Sequence, residues 1–70
     1  MAVTVKQLAN RRRMHSISRS AVAERMGCTI AWVRFVEAGG CEGKTLNKWR
    51  GRYQVGLEEI LREKKAEARS

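Results

Sequence analysis

The stretch that decides the fold runs from Ile17 to Gly39 and reads ISRSAVAERMGCTIAWVRFVEAG. Counted from Arg19 as position one, positions four, eight, ten, fifteen and eighteen are apolar: Val22, Met26, Cys28, Val33 and Val36. Position five is the small Ala23 and position nine is Gly27. Two short helices that cross steeply need apolar residues to hold them, a small residue where they approach, and a turn residue that tolerates positive φ. The spacing therefore predicts a helix-turn-helix.

Helical periodicity extends over the whole chain, which contains no proline. Ser18, Thr29 and Thr45 are suitable N-caps, and Gly27 is a suitable helix end. We therefore predict an all-α fold with five helices, at about residues 3–14, 19–26, 30–38, 46–54 and 57 to the tail, with a loop at residues 39–44. We expect residues 1–70 to form one domain, with residues 1–2 and 63–70 frayed or flexible.

The charge distribution indicates a polyanionic partner. The chain has 70 residues and a net charge of +8, with +5 in residues 1–26, +3 in residues 27–54 and zero in residues 55–70. Clustered arginines with such an excess are typical of nucleic-acid binding. The chain has no apolar run of about 18 residues and no signal-peptide core, so we expect a cytoplasmic protein without a membrane partner.

The reactive side chains do not form a recognisable catalytic or metal site. Cys28, Cys41 and His15 lack the paired spacing of a zinc site. Cys28 occupies a core turn position, so burial is expected for it. Cys41 lies in a predicted loop and is not expected to act as a ligand. We find no paired carboxylates, nucleophile–base set or phosphate-binding glycine loop. We therefore expect no enzymatic activity, no cofactor, no metal and no small-molecule ligand.

The stretch from Ile17 to Gly39 resembles the helix-turn-helix of the lambda-repressor-like, Cro/C1-type (XRE) DNA-binding domains. The segment TLNKWRGRYQVGLEEIL, residues 45–61, resembles their fourth and fifth helices. The resemblance covers about residues 5–61 and implies a five-helix domain in a transcriptional regulator of phage or bacterial type. The chain departs from the family in having NRRRM in its first helix, Gly51 within the fourth helix, and no proline in the loop at residues 39–44.

The second helix of such a unit lies in the major groove, and its first half reads base edges. At 100° per residue, the face opposite Val33 and Val36 holds Ala31, Arg34, Phe35 and Ala38. The resemblance points to the same early positions of the recognition helix, Thr29–Ala38. The predicted base-contacting residues are Thr29, Ile30, Ala31, Arg34 and Phe35.

The side chains on this face suggest which bases they read. The Arg34 fork matches guanine O6 and N7, and apolar side chains suit the thymine methyl group. Alternatives remain open, since Arg34 fits a phosphate or solvent equally well and Phe35 fits burial against the fourth helix or a partner chain. Trp32 is expected at the edge of the core, with its indole N–H free for a phosphate.

Phosphate contacts are expected at helix starts and in flanking loops. The predicted residues are Ser18, Arg19, Arg11, Arg13, Lys44, Thr45, Asn47 and Lys48. Three consecutive arginines span about 200° of a helix, so they cannot all face DNA. Arg12 follows Leu8 by four residues and points toward the core. The resemblance implies that Arg12 pairs with Glu37 near the end of the recognition helix. The alternative is that the three consecutive arginines form an exposed run of charges.

The sequence therefore predicts a sequence-specific, double-stranded DNA-binding regulator of Cro/repressor type. One alternative is a protein-interaction module, such as an antitoxin or a host-targeting phage protein, that uses the Trp32/Phe35 face as a hot spot. Another is an RNA-binding or architectural basic protein. The sequence leaves open whether the chain binds as a monomer or as a homodimer, formed through its fifth helix or only on DNA.

Overall fold

The structure, a computed structural model, describes residues 3–69 and contains four α-helices in that range. They are α1 (Val5–Met14), α2 (Arg19–Met26), α3 (Ile30–Glu37) and α4 (Gly43–Arg69). The described residues form no strand, so the predicted all-α class is confirmed. The predicted disorder of residues 1–2 and 70 lies outside the described residues.

The start of α1 is set by a capping box. The Thr4 hydroxyl accepts a hydrogen bond from the Gln7 N–H, and the Gln7 side chain accepts one from the Thr4 N–H. These two bonds satisfy donors that the first turn of a helix leaves unpaired. The helix therefore begins at Val5, and the predicted start at Val3 was two residues early.

Helix α2 begins and ends where the sequence predicts, whereas α3 begins at the predicted Ile30 and ends at Glu37, one residue before the predicted end. The Ser18 and Thr29 hydroxyls each accept a hydrogen bond of 3.1 Å from a backbone N–H three residues further on. Gly27 ends α2 with a left-handed backbone, at φ +71°. A side chain is rarely tolerated in that conformation, which explains the glycine. The two N-caps and the glycine turn are thus confirmed.

The prediction of separate fourth and fifth helices was wrong. Residues 43–69 form one helix of 27 residues that passes through Gly51 and Gly56. Glycine weakens a helix but keeps its backbone N–H, so neither position stops the helix as proline would. Gly56 also lets α4 approach α2, because a Cβ there would lie 3.0 Å from the Arg25 Cβ.

The two ends of α4 also differ from the prediction. The helix begins at Gly43, so Thr45 lies in its first turn and is not its N-cap. At the other end, residues 63–69 continue the helix rather than fraying. The Arg25 side chain pairs with Glu59 and Glu63, and these contacts attach this part of α4 to α2.

The core lies where α1, α2 and α3 pack on α4. Its main cluster of buried side chains is Leu8, Ile17, Val22, Ala23, Met26, Val33, Tyr53, Leu57 and Ile60. A second cluster joins Val5, Val36 and Cys41, with Trp32, Leu46 and Trp49 packed against it. The predicted burial of Val22, Ala23, Met26, Val33 and Val36 is confirmed.

The two cysteines differ in burial. Cys28 is half-buried and packs against the main core cluster, so the burial predicted for it is only partial. Cys41 lies in the connection between α3 and α4, as predicted, and is buried because that connection folds back onto Val5 and Val36. Burial also raises the pKa of the Cys28 thiol, which keeps it protonated.

Helix α4 is long enough to cross a bilayer, but its composition is too polar to do so. The remaining helices within residues 3–69 also fail to combine the necessary length and apolarity.

Candidate nucleic-acid interface

The outward face of α3 is exposed along its whole length. Val33 and Val36 have no exposed surface, whereas Ile30 and Phe35 are 48% and 47% exposed. Thr29, Ala31 and Arg34 are exposed as well. The structure therefore brings the five residues with predicted base contacts onto one accessible surface. Contact with a base stays a prediction for each of them.

Arg34 is the only charged side chain on this face of α3. It makes no ion pair or side-chain hydrogen bond with the described residues. The neighbouring side chains on the face are apolar and cannot hold its guanidinium in place. Its five N–H donors are consequently available to a ligand.

The aromatic side chains at this face form a packed group. The Phe35 ring stacks on Trp32 at 5.1 Å between centroids, and Trp32 meets the edge of Trp49 at 5.5 Å. The Phe35 ring also covers Gly40, and a Cβ at that position would require the ring to shift. Phe35 is therefore supported by Trp32 and Gly40 while one side of its ring faces solvent.

The prediction for the Trp32 indole was partly wrong. The side chain is half-buried, as expected for the edge of the core. Its Nε1 atom, however, is buried and has no hydrogen-bond partner among the described residues. Because Phe35 and Trp49 flank the ring, the indole N–H does not reach the surface where a phosphate would bind.

Behind the face, a buried polar cluster holds the end of α3. The Nε atom of Arg12 lies 3.1 Å from Glu37 Oε2, so the Arg12–Glu37 pair implied by the resemblance is present. The same Nε lies 3.0 Å from the Tyr53 hydroxyl, which donates to Glu37 Oε2. Arg12 Nη1 also donates to the Ile17 carbonyl at 2.9 Å. The cluster thus joins α1, α3 and α4.

Electrostatics favour the charged form of Glu37 in this cluster. Burial alone would raise the pKa of Glu37, but hydrogen bonds from Tyr53 and Arg19 and the charge of Arg12 lower that pKa overall. Burial and the adjacent Glu37 carboxylate raise the pKa of Tyr53. Tyr53 therefore remains a hydrogen-bond donor to an ionised Glu37 at neutral pH.

Arg19 has a second role that sequence reasoning missed. Its Nε lies 2.8 Å from Glu37 Oε1, while the side chain is 42% exposed. Arg19, which was predicted to contact a phosphate at the start of α2, is therefore already paired with the Glu37 carboxylate. The helical periodicity gave no sign of this contact, because Arg19 and Glu37 are 18 residues apart and meet only in the folded chain.

The beginning of α4 carries most of the remaining predicted phosphate contacts. Lys44, Thr45, Asn47 and Lys48 are all exposed on its first two turns. Lys48 and Arg52 lie against the Trp49 ring, at 5.8 and 5.0 Å from its centroid. Arg52 was missed, although its spacing of four residues from Lys48 puts both on one helix face.

The structure separates two arginines that the sequence grouped together. Arg13 lines a groove together with Glu37 and Ala38 from the end of α3. Arg11 instead lines two pockets together with Leu61 and Lys65 from the second half of α4. A phosphate contact stays a prediction for both arginines.

Comparisons with known proteins do not assign this surface. Neither family models, curated proteins nor solved structures give a match. Within residues 3–69, no three His, Cys, Asp or Glu side chains come together as a metal site would require. The site is therefore defined by its geometry, its exposure and its charge.

Proposed function

We propose that this chain is a sequence-specific regulator of the Cro/repressor type that binds double-stranded DNA. In this proposal α2 and α3 form a helix-turn-helix of the lambda-repressor-like kind, and α3 enters the major groove. The observation that carries the proposal is the exposed face of α3, where the unpaired Arg34 stands among apolar side chains on a chain of net charge +8. The protein acts by binding and not by catalysis.

The composition of this face favours a particular kind of base sequence. Arg34 donates two hydrogen bonds to guanine O6 and N7, and Ile30, Ala31 and Phe35 pack on thymine methyl groups. Phe35 is held by Trp32, so its ring is presented in a defined orientation. The preferred site therefore combines thymines with an adjacent guanine.

Phosphate contacts orient α3 but carry no sequence information. Ser18 and Thr29 cap helices whose first N–H groups favour anions. Lys44, Asn47 and Lys48 are exposed at the start of α4 and supply side-chain donors. Arg19 contributes if it exchanges its contact with Glu37 for a phosphate oxygen.

Selection of bound sequences from random DNA duplexes tests this proposal directly. We expect an enriched motif that contains a guanine beside thymines, and a steep loss of affinity for that motif as salt rises. A selection that enriches no motif contradicts the proposal. Equal affinity for RNA and DNA, without sequence preference, would favour an architectural basic protein instead.

A protein-interaction module is a second candidate, because two large apolar side chains, Ile30 and Phe35, are about half exposed beside Trp32. Aromatic anchors of this kind often dominate protein interfaces. This alternative predicts weak DNA binding with little salt dependence. Phe35→Ala would then abolish binding to the protein partner, whereas Arg34→Ala would have the smaller effect.

A further inference from the structure

A groove lies on the side of the molecule where the start of α1, the end of α3 and the start of α4 meet. It has a volume of about 430 Å³. Its floor is apolar and consists of Val5, Val36, Cys41 and Leu46. This volume falls within the range of small-molecule sites, about 300–1,000 Å³. The groove is distinct from the outward face of α3, because none of the five residues with predicted base contacts lines it.

Three cationic side chains border this floor: Lys6, Arg13 and Arg50. None of them makes an ion pair or a side-chain hydrogen bond with a described residue. Among the described residues that line the groove, Glu37 supplies the one carboxylate, and Arg12 and Arg19 already pair with it. The rim is therefore positively charged and has no partner within residues 3–69.

Backbone dipoles add to this charge. Thr4, Val5 and Lys6 border the groove at the start of α1, and Leu46 borders it in the first turn of α4. The beginning of α1 favours an anion. The end of α3 at Ala38 has the opposite polarity, but three side-chain cations also border the groove. An apolar floor beneath a cationic rim suits a ligand with an apolar body and one anionic head.

We propose that this groove binds a small amphipathic carboxylate with an aliphatic chain of medium length. The aliphatic part would cover Leu46 and Cys41, and the carboxylate would pair with Arg13 and Lys6 on the rim. Arginine matches a carboxylate through two parallel hydrogen bonds. The volume is too small for a peptide helix, and a bare inorganic anion would leave the apolar floor uncovered. The sequence predicted no small-molecule ligand, since the groove exists only in the folded chain.

Tryptophan fluorescence offers a direct readout for this site. The chain has two tryptophans, Trp32 and Trp49, and both pack against the cluster that forms the floor. Decanoate, titrated into the full chain below its aggregation concentration, should change this fluorescence and saturate. Acetate has the charge without the chain, and decanol has the chain without the charge, so both should bind much more weakly.

A matched pair of double variants tests the role of the rim. Lys6→Gln/Arg13→Gln removes two rim charges, and Arg62→Gln/Lys65→Gln removes two charges from the exposed second half of α4. We expect the rim variant to bind decanoate about tenfold or more weakly, and the control variant to bind like the wild type. Arg13→Gln alone should show a smaller loss and provides a second test if the double variant is unstable.

Several outcomes would overturn this proposal. They are the absence of saturable decanoate binding, equal weakening in both double variants, and an equal response to decanol. If the wild type does not bind decanoate and the rim variant binds DNA more weakly, the rim contacts the DNA backbone instead. The titration contains no DNA, so its result is independent of the proposed regulatory function.

Discussion

At the scale of single residues, Arg34 and Glu37 lie within one turn of α3 but have different surroundings. Arg34 points outward and has no partner among the described residues, whereas Glu37 is held by Arg12, Arg19 and Tyr53. The first side chain is free to bind a ligand, and the second fixes the position of the helix that carries it. Substitutions at the two positions should therefore affect different measurements.

Substitution of Arg34 should change specificity. Arg34→Ala removes the guanidinium that we propose contacts one guanine, so preference at one base pair should relax at a cost of about 1–3 kcal/mol in binding free energy. Lys48→Ala should instead weaken all sequences about equally. Competition binding against single-base variants of the selected motif measures both effects. A uniform loss of affinity in Arg34→Ala would mean that Arg34 contacts a phosphate.

Substitution of Glu37 should change the pH dependence of stability. The pKa of Glu37 is lowered in the folded chain, so its ionised form stabilises the fold above its unfolded pKa of about 4.3. This contribution is lost as pH falls through the lower folded pKa. Glu37→Gln cannot titrate, and we expect it to be about 1–3 kcal/mol less stable than the wild type at pH 7.

Urea unfolding at a series of pH values from 7 to 3 measures this effect. The difference in unfolding free energy between the wild type and Glu37→Gln should narrow below about pH 4.3. The exposed carboxylates are common to both proteins, so their titration cancels in the comparison. A difference that stays constant over the whole range would show that the pKa of Glu37 is not lowered in the folded chain.

At the scale of elements, α4 is the feature that departs most from the five helices predicted from the sequence. It runs unbroken from Gly43 to Arg69, with two internal glycines in different surroundings. A Cβ at Gly51 would meet open space, whereas a Cβ at Gly56 would lie 3.0 Å from the Arg25 Cβ. The first glycine only weakens the helix, and the second allows α2 to pack closely.

The two glycines give a matched pair of substitutions. Gly51→Ala should raise the free energy of unfolding by about 0.5–1 kcal/mol, because alanine loses less conformational entropy in a helix. Gly56→Ala gains the same helix propensity but crowds Arg25, so it should stabilise less or destabilise. Thermal and urea unfolding compare both with the wild type. Equal stabilisation by both variants would contradict the close packing of α2 on α4.

At the scale of the whole molecule, the charge is divided between a basic part and a balanced part. Residues 1–54 contribute the entire net charge of +8, and residues 55–70 contribute none. The start of α4 belongs to the basic part and its second half to the balanced part. Binding to DNA should therefore depend on cations in the first half of α4 and not on those in the second.

Salt titration distinguishes these two regions. The logarithm of the DNA association constant should fall linearly with the logarithm of salt concentration, and Lys48→Ala should reduce the slope by about one. Lys65→Ala removes the same charge from the second half of α4 and should leave the slope unchanged. Equal changes in both variants would indicate a response to net charge alone.

Local patterns determined most of the helices. The spacing of Val22, Met26, Val33 and Val36 predicted which sides of α2 and α3 are buried, and Ser18 and Thr29 predicted where these helices begin. Such features depend on residues three or four positions apart, so they can be read along the chain. The exposed face of α3 followed from the same periodicity, since the side opposite a buried stripe faces outward.

Long-range packing decided the rest. The resemblance implied the Arg12–Glu37 pair, but the contacts of Glu37 with Arg19 and Tyr53 arise only when α1, α2, α3 and α4 meet. Packing of α4 on α2 also decides that residues 43–69 form one helix, because a buried face outweighs the small penalty of two glycines. The burial of Cys41 and the groove with its cationic rim depend likewise on residues distant in sequence. The sequence by itself therefore determined the helical surfaces, and the tertiary structure decided how their charges are paired.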